Sequence, residues 1–219
     1  MASFRRVEIG GLTLPVYSLN TVVVGSGAAG LACAARLVQE MAKCGVSEPA
    51  SRVAVLTEGV GTGTSHNAGS DKQTYYKLGT HPSEPDTPRK FAETLTAAGC
   101  AHGDLALVEA LNSLRCFHYL VEIGVPFPHD EHGGFVGYKT DFDPCQRATS
   151  AGPWTSRLMV RRLLAEVSRA GVQVFDRHYM LGLVRPGSGE DGAVCGLLCC
   201  DVTRQRTEDR GLVLFNCLN

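Results

Sequence analysis

The chain has 219 residues, with 21 basic and 22 acidic side chains and a formal net charge of -1. This length is enough to bury a core, and the charge balance argues against a broad nucleic-acid surface, whose affinity comes from phosphate neutralisation. No apolar run approaches the roughly 20 residues of a membrane span, and no secretory signal is visible. The nine scattered cysteines lack a Cys-x-x-Cys pair, which favours buried free thiols and a reducing, cytoplasmic setting over disulfides or metal ligands.

The first third of the sequence has the pattern of a strand, a helix and a second strand. Residues up to about 18 alternate weakly, as in an edge strand, and residues 20–24 read as a buried strand. Residues 28–43 carry apolar side chains at helical spacing and end before Gly45. Residues 52–57, "RVAVLT", form the second strand. This order predicts two parallel strands joined by a right-handed crossover.

The middle of the chain reads as a long polar loop followed by helices. A loop of this length inside a domain is usually functional or disordered. A helix is predicted after Asp86 or Thr87, either of which can cap it, with Pro88 in its first turn. A second helix is predicted over 104–123 and a third over 155–170. The second should place one apolar face inward, made of Leu107, Leu111, Leu114, Phe117 and Val121.

The C-terminal part of the sequence reads as short strands. "GVQVFD" is one, and "YMLGLVRP", "AVCGLLCCDVT" and "GLVLFNC" are three more. The turn-rich "GSGEDG" and the polar "RQRTEDR" separate the last three. Such short connections favour an antiparallel meander.

A glycine-rich turn joins the first strand to the first helix, with the spacing Gly25-x-Gly27-x-x-Gly30. Gly25 permits the tight turn, Gly27 lets a diphosphate approach the bare backbone, and Gly30 lets the helix pack close to the strand. Free N–H groups and the helix dipole there favour phosphate charge, so the motif predicts dinucleotide binding. Thr57 at the second strand end, or Glu58 after it, can bond a ribose hydroxyl, which leaves NAD and FAD both open.

The order of these segments resembles the flavoprotein family of succinate dehydrogenase and fumarate reductase, together with its relative L-aspartate oxidase. The resemblance covers about residues 18–219 and rests on "VVVGSGAAGLACAARL", "GTGTSHNAGSDKQTYY", "TLTAAG…D…LVE…LVEIGVPF" and "TSRLMVRRLLAEV…GVQVF". It implies FAD as cofactor and an α/β fold, in which a Rossmann-like FAD-binding domain combines a parallel sheet with a three-stranded antiparallel crossover. Residues 1–219 would form this domain, with a βαβ unit at about 18–60, a helical and loop insertion at about 60–172 and the meander at about 173–219.

The resemblance also implies which residues contact the cofactor. In the family the glycine turn holds the FAD pyrophosphate, the second strand end holds the ribose, and the polar loop and the start of the third helix approach the flavin. On this sequence the matching positions are Gly25, Ser26, Gly27, Ala28, Ala29, Gly30, Thr57, Glu58, Thr64, Ser65, His66, Asn67, Ala68, Gly69, Thr155 and Ser156. The sequence departs from the family at Gly69-Ser70, where a Gly-Gly pair is usual, and at Thr155-Ser156, where many members have Thr-Gly.

Some family members attach FAD covalently to a histidine of the polar loop. Here His66 follows Ser65, as in those members, but the spacing from Ala68 aligns Thr64 with that position better. His66 is therefore interpreted as a noncovalent contact or a plain loop histidine. No metal ion is expected, because His129 and His132 lie in a Gly- and Pro-flanked loop without a third histidine near in sequence.

The function implied by the resemblance is that of an FAD-dependent oxidoreductase acting on a small carboxylate. The family continues past the last strand into an Ala-Thr-Gly-Gly turn and a capping domain that carries the substrate-binding and acid residues, whereas this sequence ends at "LFNCLN". We therefore expect the N-terminal, FAD-binding portion, truncated before the capping domain, and assign no catalytic residue; whether this chain alone is an enzyme stays open. The alternatives are a non-catalytic nucleotide- or partner-binding module with the same fold and an NAD-dependent oxidoreductase.

Overall fold

The computed structural model describes residues 3–70, 73–82, 84–135, 137–141, 143–186, 192–203 and 211–217. Its helices are α1 (Ala28–Lys43), α2 (Thr64–Asn67), α3 (Pro88–Thr96), α4 (Gly103–Glu122) and α5 (Thr155–Arg169). Its strands are β1 (Ser3–Ile9), β2 (Leu12–Ser18), β3 (Thr21–Val24), β4 (Val53–Leu56), β5 (Tyr75–Tyr76), β6 (Tyr138–Thr140), β7 (Asp143–Thr149), β8 (Gln173–Phe175), β9 (His178–Val184), β10 (Gly196–Asp201) and β11 (Leu212–Asn216). Across these ranges every helix is too short or too polar to traverse a lipid bilayer.

The chain divides into two compact units. The first unit combines Met1–Asn67 with Leu163–Asn219, and the second unit is Ala68–Arg162. The first unit contains a parallel sheet in the order β3-β4-β8 and a five-stranded sheet in the order β1-β2-β11-β10-β9. The second unit contains α3, α4 and an antiparallel sheet in the order β5-β7-β6.

The parallel sheet confirms the predicted βαβ unit. Strand β3 pairs in parallel with β4, and β4 pairs in parallel with β8. Helix α1 covers residues 28–43 as predicted, and Gly45 ends it in the left-handed region, with its N–H donated to the carbonyl of Ala42. The prediction of a buried strand at 20–24 was wrong, because β3 is an edge strand of the described sheet and Val24 is 49% exposed.

The five-stranded sheet contains the predicted antiparallel crossover. Strands β9, β10 and β11 pair in antiparallel fashion, and β11 also pairs in parallel with β2 of the N-terminal hairpin. Strand β8 belongs to the parallel sheet, so the crossover begins at β9. Most of the predicted turn segments at 187–192 and 204–210 lie outside the described residues. The two sheets enclose a core of Leu19, Ala54, Leu56, Phe175, Leu197, Cys199, Val213 and Phe215.

Helices α3 and α4 of the second unit pack through small and aromatic side chains. Helix α3 begins with Pro88, and the Thr87 hydroxyl caps it by accepting a hydrogen bond from the N–H of Lys90 at 3.1 Å. The predicted inward face of α4 was largely wrong, because Leu107 and Leu111 are 41% and 60% exposed. The buried residues of α4 are Ala106, Ala110, Ser113, Phe117 and Leu120. Two of them, Ala106 and Ala110, pack with Phe91 and Ala92 of α3.

The cysteines carry free thiols, as predicted, but only three are buried. These are Cys145, Cys195 and Cys199, and the nine cysteines form no disulfide. Burial, with smaller contributions from neighbouring Cys200 and Asp201, raises the pKa of Cys199 to about 12, so its thiol stays protonated and unreactive at neutral pH. Within the described ranges no group of three or more His, Cys, Asp or Glu side chains could hold a metal ion.

A buried ion cluster stabilises the second unit. The guanidinium of Arg147 is fully buried, donates to both Asp86 carboxylate oxygens at 2.7 Å, and donates to Asp143 at 2.9 Å. Burial alone would raise the pKa of Asp86, but hydrogen bonds from Arg147 and from the N–H groups of Gly79 and Thr87 outweigh it and hold the pKa below its ordinary value. Asp86 is thus an ion-pair partner, while Thr87 caps the helix.

We expect Arg147→Met to lower the unfolding free energy by about 3–5 kcal/mol at pH 7, because it leaves two buried carboxylates without their counter-charge. The lowered pKa of Asp86 stabilises the folded protein fully at pH values above about 3.9, the carboxyl pKa in the unfolded chain. This stabilisation is lost as the pH falls through the lower pKa that Asp86 has in the folded protein. The difference between wild type and variant should therefore shrink in acid. Denaturant titrations between pH 3 and 7 measure it.

The matched control is Arg161→Met, at an exposed arginine of α5. It should change the unfolding free energy by no more than about 0.5 kcal/mol at any of these pH values. A difference between Arg147→Met and wild type that stays constant with pH would contradict the role given to Asp86.

Candidate functional site

The glycine turn presents bare backbone at the start of α1. Gly25 has φ of +107°, a conformation that side chains rarely permit, and donates its N–H to the carbonyl of Leu56 at 2.7 Å. Gly27 is extended, precedes α1 and has no side chain to cap it, and the first turn of α1 contains no acidic residue. The first N–H groups of a helix have no partner inside the helix, so this end of α1 can donate to anionic oxygens.

The three motif glycines have different reasons to lack a side chain. A Cβ on Gly30 would lie 2.1 Å from the carbonyl oxygen of Gly25, which no side chain permits. A Cβ on Gly27 would lie 3.3 Å from the Ser65 hydroxyl, and one on Gly25 would point into open space. Gly30 therefore allows the close approach of α1 to the turn, Gly25 is required by its positive φ, and Gly27 leaves its backbone uncovered next to Ser65. The tight turn at Gly25 and the close packing at Gly30 agree with the roles predicted from the spacing, and the contact of Gly27 with a diphosphate stays a prediction.

A cavity of about 250 Å³ lies at the carboxyl ends of β3 and β4; we call it the strand-end cavity. Its lining is Gly25, Ser26, Gly27, Leu56, Thr57, Glu58, Gly59, Thr62, Gly63, His178 and Met180. Ligands of open α/β sheets bind at this edge, outside the carboxyl ends of the strands. The volume is below the roughly 300–1,000 Å³ of sites that enclose a drug-sized ligand, so the cavity suits one part of a dinucleotide.

Thr57 and Glu58 differ in what their side chains can still bind. The Thr57 hydroxyl is buried and hydrogen-bonded to the Ser26 hydroxyl at 2.9 Å, which ties the end of β4 to the glycine turn. Glu58 is exposed, lines the strand-end cavity and makes no hydrogen bond or ion pair with the described residues. The geometry therefore favours Glu58 as the acceptor for ligand hydroxyls and Thr57 as the residue that positions the turn.

The polar loop after β4 is organised by its own side chains. The Asn67 amide donates to the carbonyl oxygens of Gly61 and Gly63 at 2.9 and 3.2 Å, and the His66 ring lies against Gly61. Ser65 is the loop residue that borders Gly27, and Thr64 is exposed. Of this part of the prediction, the structure brings Ser65 next to the glycine turn and gives Asn67 and His66 positions that support the loop.

Four predicted site residues lie in the second unit: Ala68, Gly69, Thr155 and Ser156. Gly69 borders the Trp154 ring, since a Cβ there would lie 3.1 Å from Cζ3. Thr155 is buried, and its hydroxyl donates to the carbonyl of Gly152 at 2.7 Å. These contacts hold the segment that begins α5, and approach of the four residues to a flavin stays a prediction.

Sequence reasoning missed Gln73, which holds the first turn of α5. Its side-chain oxygen accepts from the N–H of Ser156, and its amide donates to the Ser156 hydroxyl, both at 2.8 Å. A glutamine in a polar loop has no sequence signal for this role, because its partner is 83 residues away.

Sequence reasoning also missed His178 and Met180, which line the strand-end cavity from β9. A signal did exist in the sequence. His178 follows the end of β8 by three residues, and residues after parallel strands collect at the edge where ligands bind.

Comparison with known proteins identifies the family. A family described as "FAD binding domain" matches residues 20–216. No curated protein matches the chain in sequence. The chain has the fold of E. coli quinol fumarate reductase FrdA, with 18% identity, a TM-score of 0.70, and coverage of 92% of this chain and 31% of that one.

Two further solved structures share this fold. Sdh1 from Mycobacterium smegmatis has 18% identity and a TM-score of 0.70, and the match covers 92% of this chain and 33% of the Sdh1 chain. The 3-ketosteroid-Δ4-(5α)-dehydrogenase from Rhodococcus jostii has 19% identity and a TM-score of 0.63, and the match covers 91% of this chain and 44% of the dehydrogenase chain. The chain thus spans between about a third and under half of the length of these proteins.

The chain belongs to the family of FAD-binding domains, and its cofactor is FAD. This confirms the predicted cofactor, and the shared architecture confirms the predicted fold of a parallel sheet with an antiparallel crossover. The residues of the glycine turn fit the cofactor, because they offer backbone donors and open space to a diphosphate.

We expect Gly30→Ala to lower the unfolding free energy by about 1–3 kcal/mol, because its Cβ would overlap the Gly25 carbonyl and force the turn and α1 apart. Gly103→Ala, in α4, is the control. Its Cβ would meet nothing within 4 Å, so stability should stay constant or rise slightly. Urea titration followed by circular dichroism measures both, and equal stability of the two variants would contradict the close packing.

Proposed function

We propose that the chain is the FAD-binding portion of a flavin-dependent oxidoreductase acting on a small carboxylate, and that the strand-end cavity binds the ADP part of FAD. The observation that supports the site most directly is the open backbone of the glycine turn at the carboxyl ends of parallel strands.

The proposal gives each part of the cavity one part of the ligand. The N–H groups at the start of α1, around Gly27 and Ala28, donate to the diphosphate. The Glu58 carboxylate accepts hydrogen bonds from ribose hydroxyls, a charge-assisted interaction. Ser26 and Thr57 do not contact the ligand with their hydroxyls, because these hydroxyls bond each other at 2.9 Å. The two residues instead hold the backbone of the glycine turn in position.

FAD itself supplies the hydride chemistry when it is bound, and the protein binds and orients it. In the proposed function the first unit anchors one end of the cofactor through backbone groups. Backbone donors fixed by secondary structure keep their direction without side-chain entropy, so they suit an anchor that must not move during catalysis.

The substrate class rests on the sequence resemblance and on the fold that the chain shares with quinol fumarate reductase. The fold alone does not select it, since a 3-ketosteroid dehydrogenase shares the same architecture. The carboxylate is favoured over the steroid because the more specific segments of the resemblance, "TLTAAG…D…LVE…LVEIGVPF" and "TSRLMVRRLLAEV…GVQVF", point to the fumarate reductase type.

We expect Gly27→Val to weaken FAD binding by about 100-fold or more, because a branched side chain would crowd Ser65, displace the turn and disrupt at least two charge-assisted hydrogen bonds to the diphosphate. Gly103→Val, at the exposed start of α4, is the matched control and should bind FAD as wild type does. Quenching of flavin fluorescence on titration measures affinity, and circular dichroism checks that both variants fold. Unchanged affinity of Gly27→Val would overturn the proposed site.

Glu58→Ala should weaken FAD binding about 10- to 100-fold, because the variant loses a charge-assisted acceptor for the ribose. The control is Glu8→Ala, which removes an exposed glutamate of β1. Competition with ADP should show the same loss, since the ribose in question belongs to the ADP part. Wild-type affinity of Glu58→Ala for both ligands would remove Glu58 from the site while leaving the glycine turn in place.

The substrate class is tested on the full natural gene product loaded with FAD. After anaerobic reduction of the flavin, we expect fumarate to restore its oxidised absorbance bands and 4-androstene-3,17-dione to leave them unchanged. Reoxidation by the steroid alone would contradict the carboxylate, and a colourless protein that takes up no flavin would support a non-catalytic module.

A further inference from the structure

His178 lines the strand-end cavity, and one of its ring nitrogens is held against the backbone. Its Nδ1 lies 2.6 Å from the backbone carbonyl oxygen of Asp176. A carbonyl oxygen can only accept a hydrogen bond, so Nδ1 must carry a proton. In the neutral ring the other nitrogen, Nε2, then has a lone pair and acts as an acceptor.

The ring is held firmly by the turn between β8 and β9. The Asp176 carboxylate accepts hydrogen bonds from the N–H groups of Val60 and Arg177, at 2.8 and 2.9 Å. Arg177 adopts φ of +56°, an uncommon conformation for a residue with a side chain, and the backbone N–H of His178 donates to the Thr57 carbonyl at 2.9 Å. The imidazole also packs edge-on against the Phe175 ring, with centroids 5.4 Å apart.

The neighbouring carboxylate of Asp201 does not use the Nε2 lone pair. Asp201 places a carboxylate oxygen 3.9 Å from Nε2, beyond hydrogen-bond distance, and an ionised carboxylate has no proton to donate. The other oxygen of Asp201 accepts from the N–H and hydroxyl of Thr203. In the ring protonated at Nδ1, Nε2 therefore keeps its lone pair beside the Asp201 carboxylate, in a side chain that is 11% exposed.

The order of the strands gives this acceptor its place along the ligand. The glycine turn follows β3, Glu58 follows its neighbour β4, and His178 with Met180 follow the turn from β8, the next strand in the sheet. Phosphate, ribose and base follow one another in the same order in ADP. If the diphosphate lies on the glycine turn and the ribose at Glu58, as in the proposed function, the base lies at His178.

We propose that His178 is a specificity-determining residue, whose Nε2 accepts a hydrogen bond from the exocyclic 6-amino group of adenine while Met180 packs against the base. This inference rests on the proposed function of the strand-end cavity. A 6-oxo purine would place its carbonyl oxygen against Nε2, so that two acceptors face each other in a partly desolvated site. The cavity therefore selects 6-amino over 6-oxo purine nucleotides.

The experiment compares ADP with inosine diphosphate, which differ at this position of the base. Isothermal titration calorimetry on the full chain should show ADP binding roughly 10- to 100-fold more tightly than inosine diphosphate. His178→Ala should reduce this preference to near unity by weakening ADP alone. His178→Gln, whose amide can turn either its oxygen or its NH2 group to the base, should bind both nucleotides with nearly equal affinity.

His129→Ala is the matched control. His129 is exposed in the second unit, and its Nδ1 also lies near a backbone carbonyl oxygen, that of Asp130 at 2.9 Å. This variant should keep the wild-type preference for ADP. Equal affinities of wild type for ADP and inosine diphosphate, or a wild-type preference in both His178 variants, would overturn the role of His178.

Gly27→Val separates failure of this inference from failure of the proposed function. If Gly27→Val weakens ADP binding and the His178 variants leave the purine preference unchanged, the cavity is the site and His178 does not read the base. If neither Gly27→Val nor the His178 variants change the binding of ADP or FAD, the cavity is not the site and both proposals fall.

Discussion

The proposed nucleotide-binding end of the first unit depends on the close approach of α1 to the glycine turn. The position of Gly30 leaves no room for a side chain, because a Cβ would stand 2.1 Å from the carbonyl oxygen of Gly25. This contact fixes where α1 begins and therefore where its unpaired N–H groups point. The hydrogen bond from Gly25 to Leu56 then sets the turn against the end of β4, and the bond between Ser26 and Thr57 repeats that connection with side chains.

The complete burial of β4 fixes where the residues after it, Thr57 and Glu58, emerge at the edge of the sheet. Its four residues are at most 1% exposed, so the strand has no freedom to shift, and the residues that follow it must emerge at one defined point. Thr57 at that point is tied to the protein on three sides: its hydroxyl bonds Ser26, its N–H donates to Phe175 and its carbonyl accepts from His178. Glu58, one residue later, is the first side chain free to meet a ligand.

The sequence predicted those features that depend on local chemistry. The limits of α1, a helix cap at Asp86 or Thr87 and the close packing at Gly30 follow from short patterns whose physics is contained in a few residues. The inward face of α4 was mispredicted because leucines at 107 and 111 satisfy the same spacing as Ala106 and Ala110, and only packing against α3 decides between them. The pairs Gln73–Ser156 and Asp86–Arg147 join residues more than 60 positions apart, so no local pattern contains them.

The construction of the strand-end cavity also bears on why one fold serves enzymes with different substrates. Its proposed contacts to the diphosphate come from backbone N–H groups, and its side-chain contacts, Glu58 and His178, face the part of the cofactor farthest from the flavin. In the proposed placement of the cofactor neither a carboxylate nor a steroid substrate reaches these groups, so they do not distinguish the two. Quinol fumarate reductase and a 3-ketosteroid dehydrogenase can therefore share this architecture at about 18–19% identity with the present chain. In the proposed function this cavity recognises a nucleotide, so its requirements do not change with the substrate.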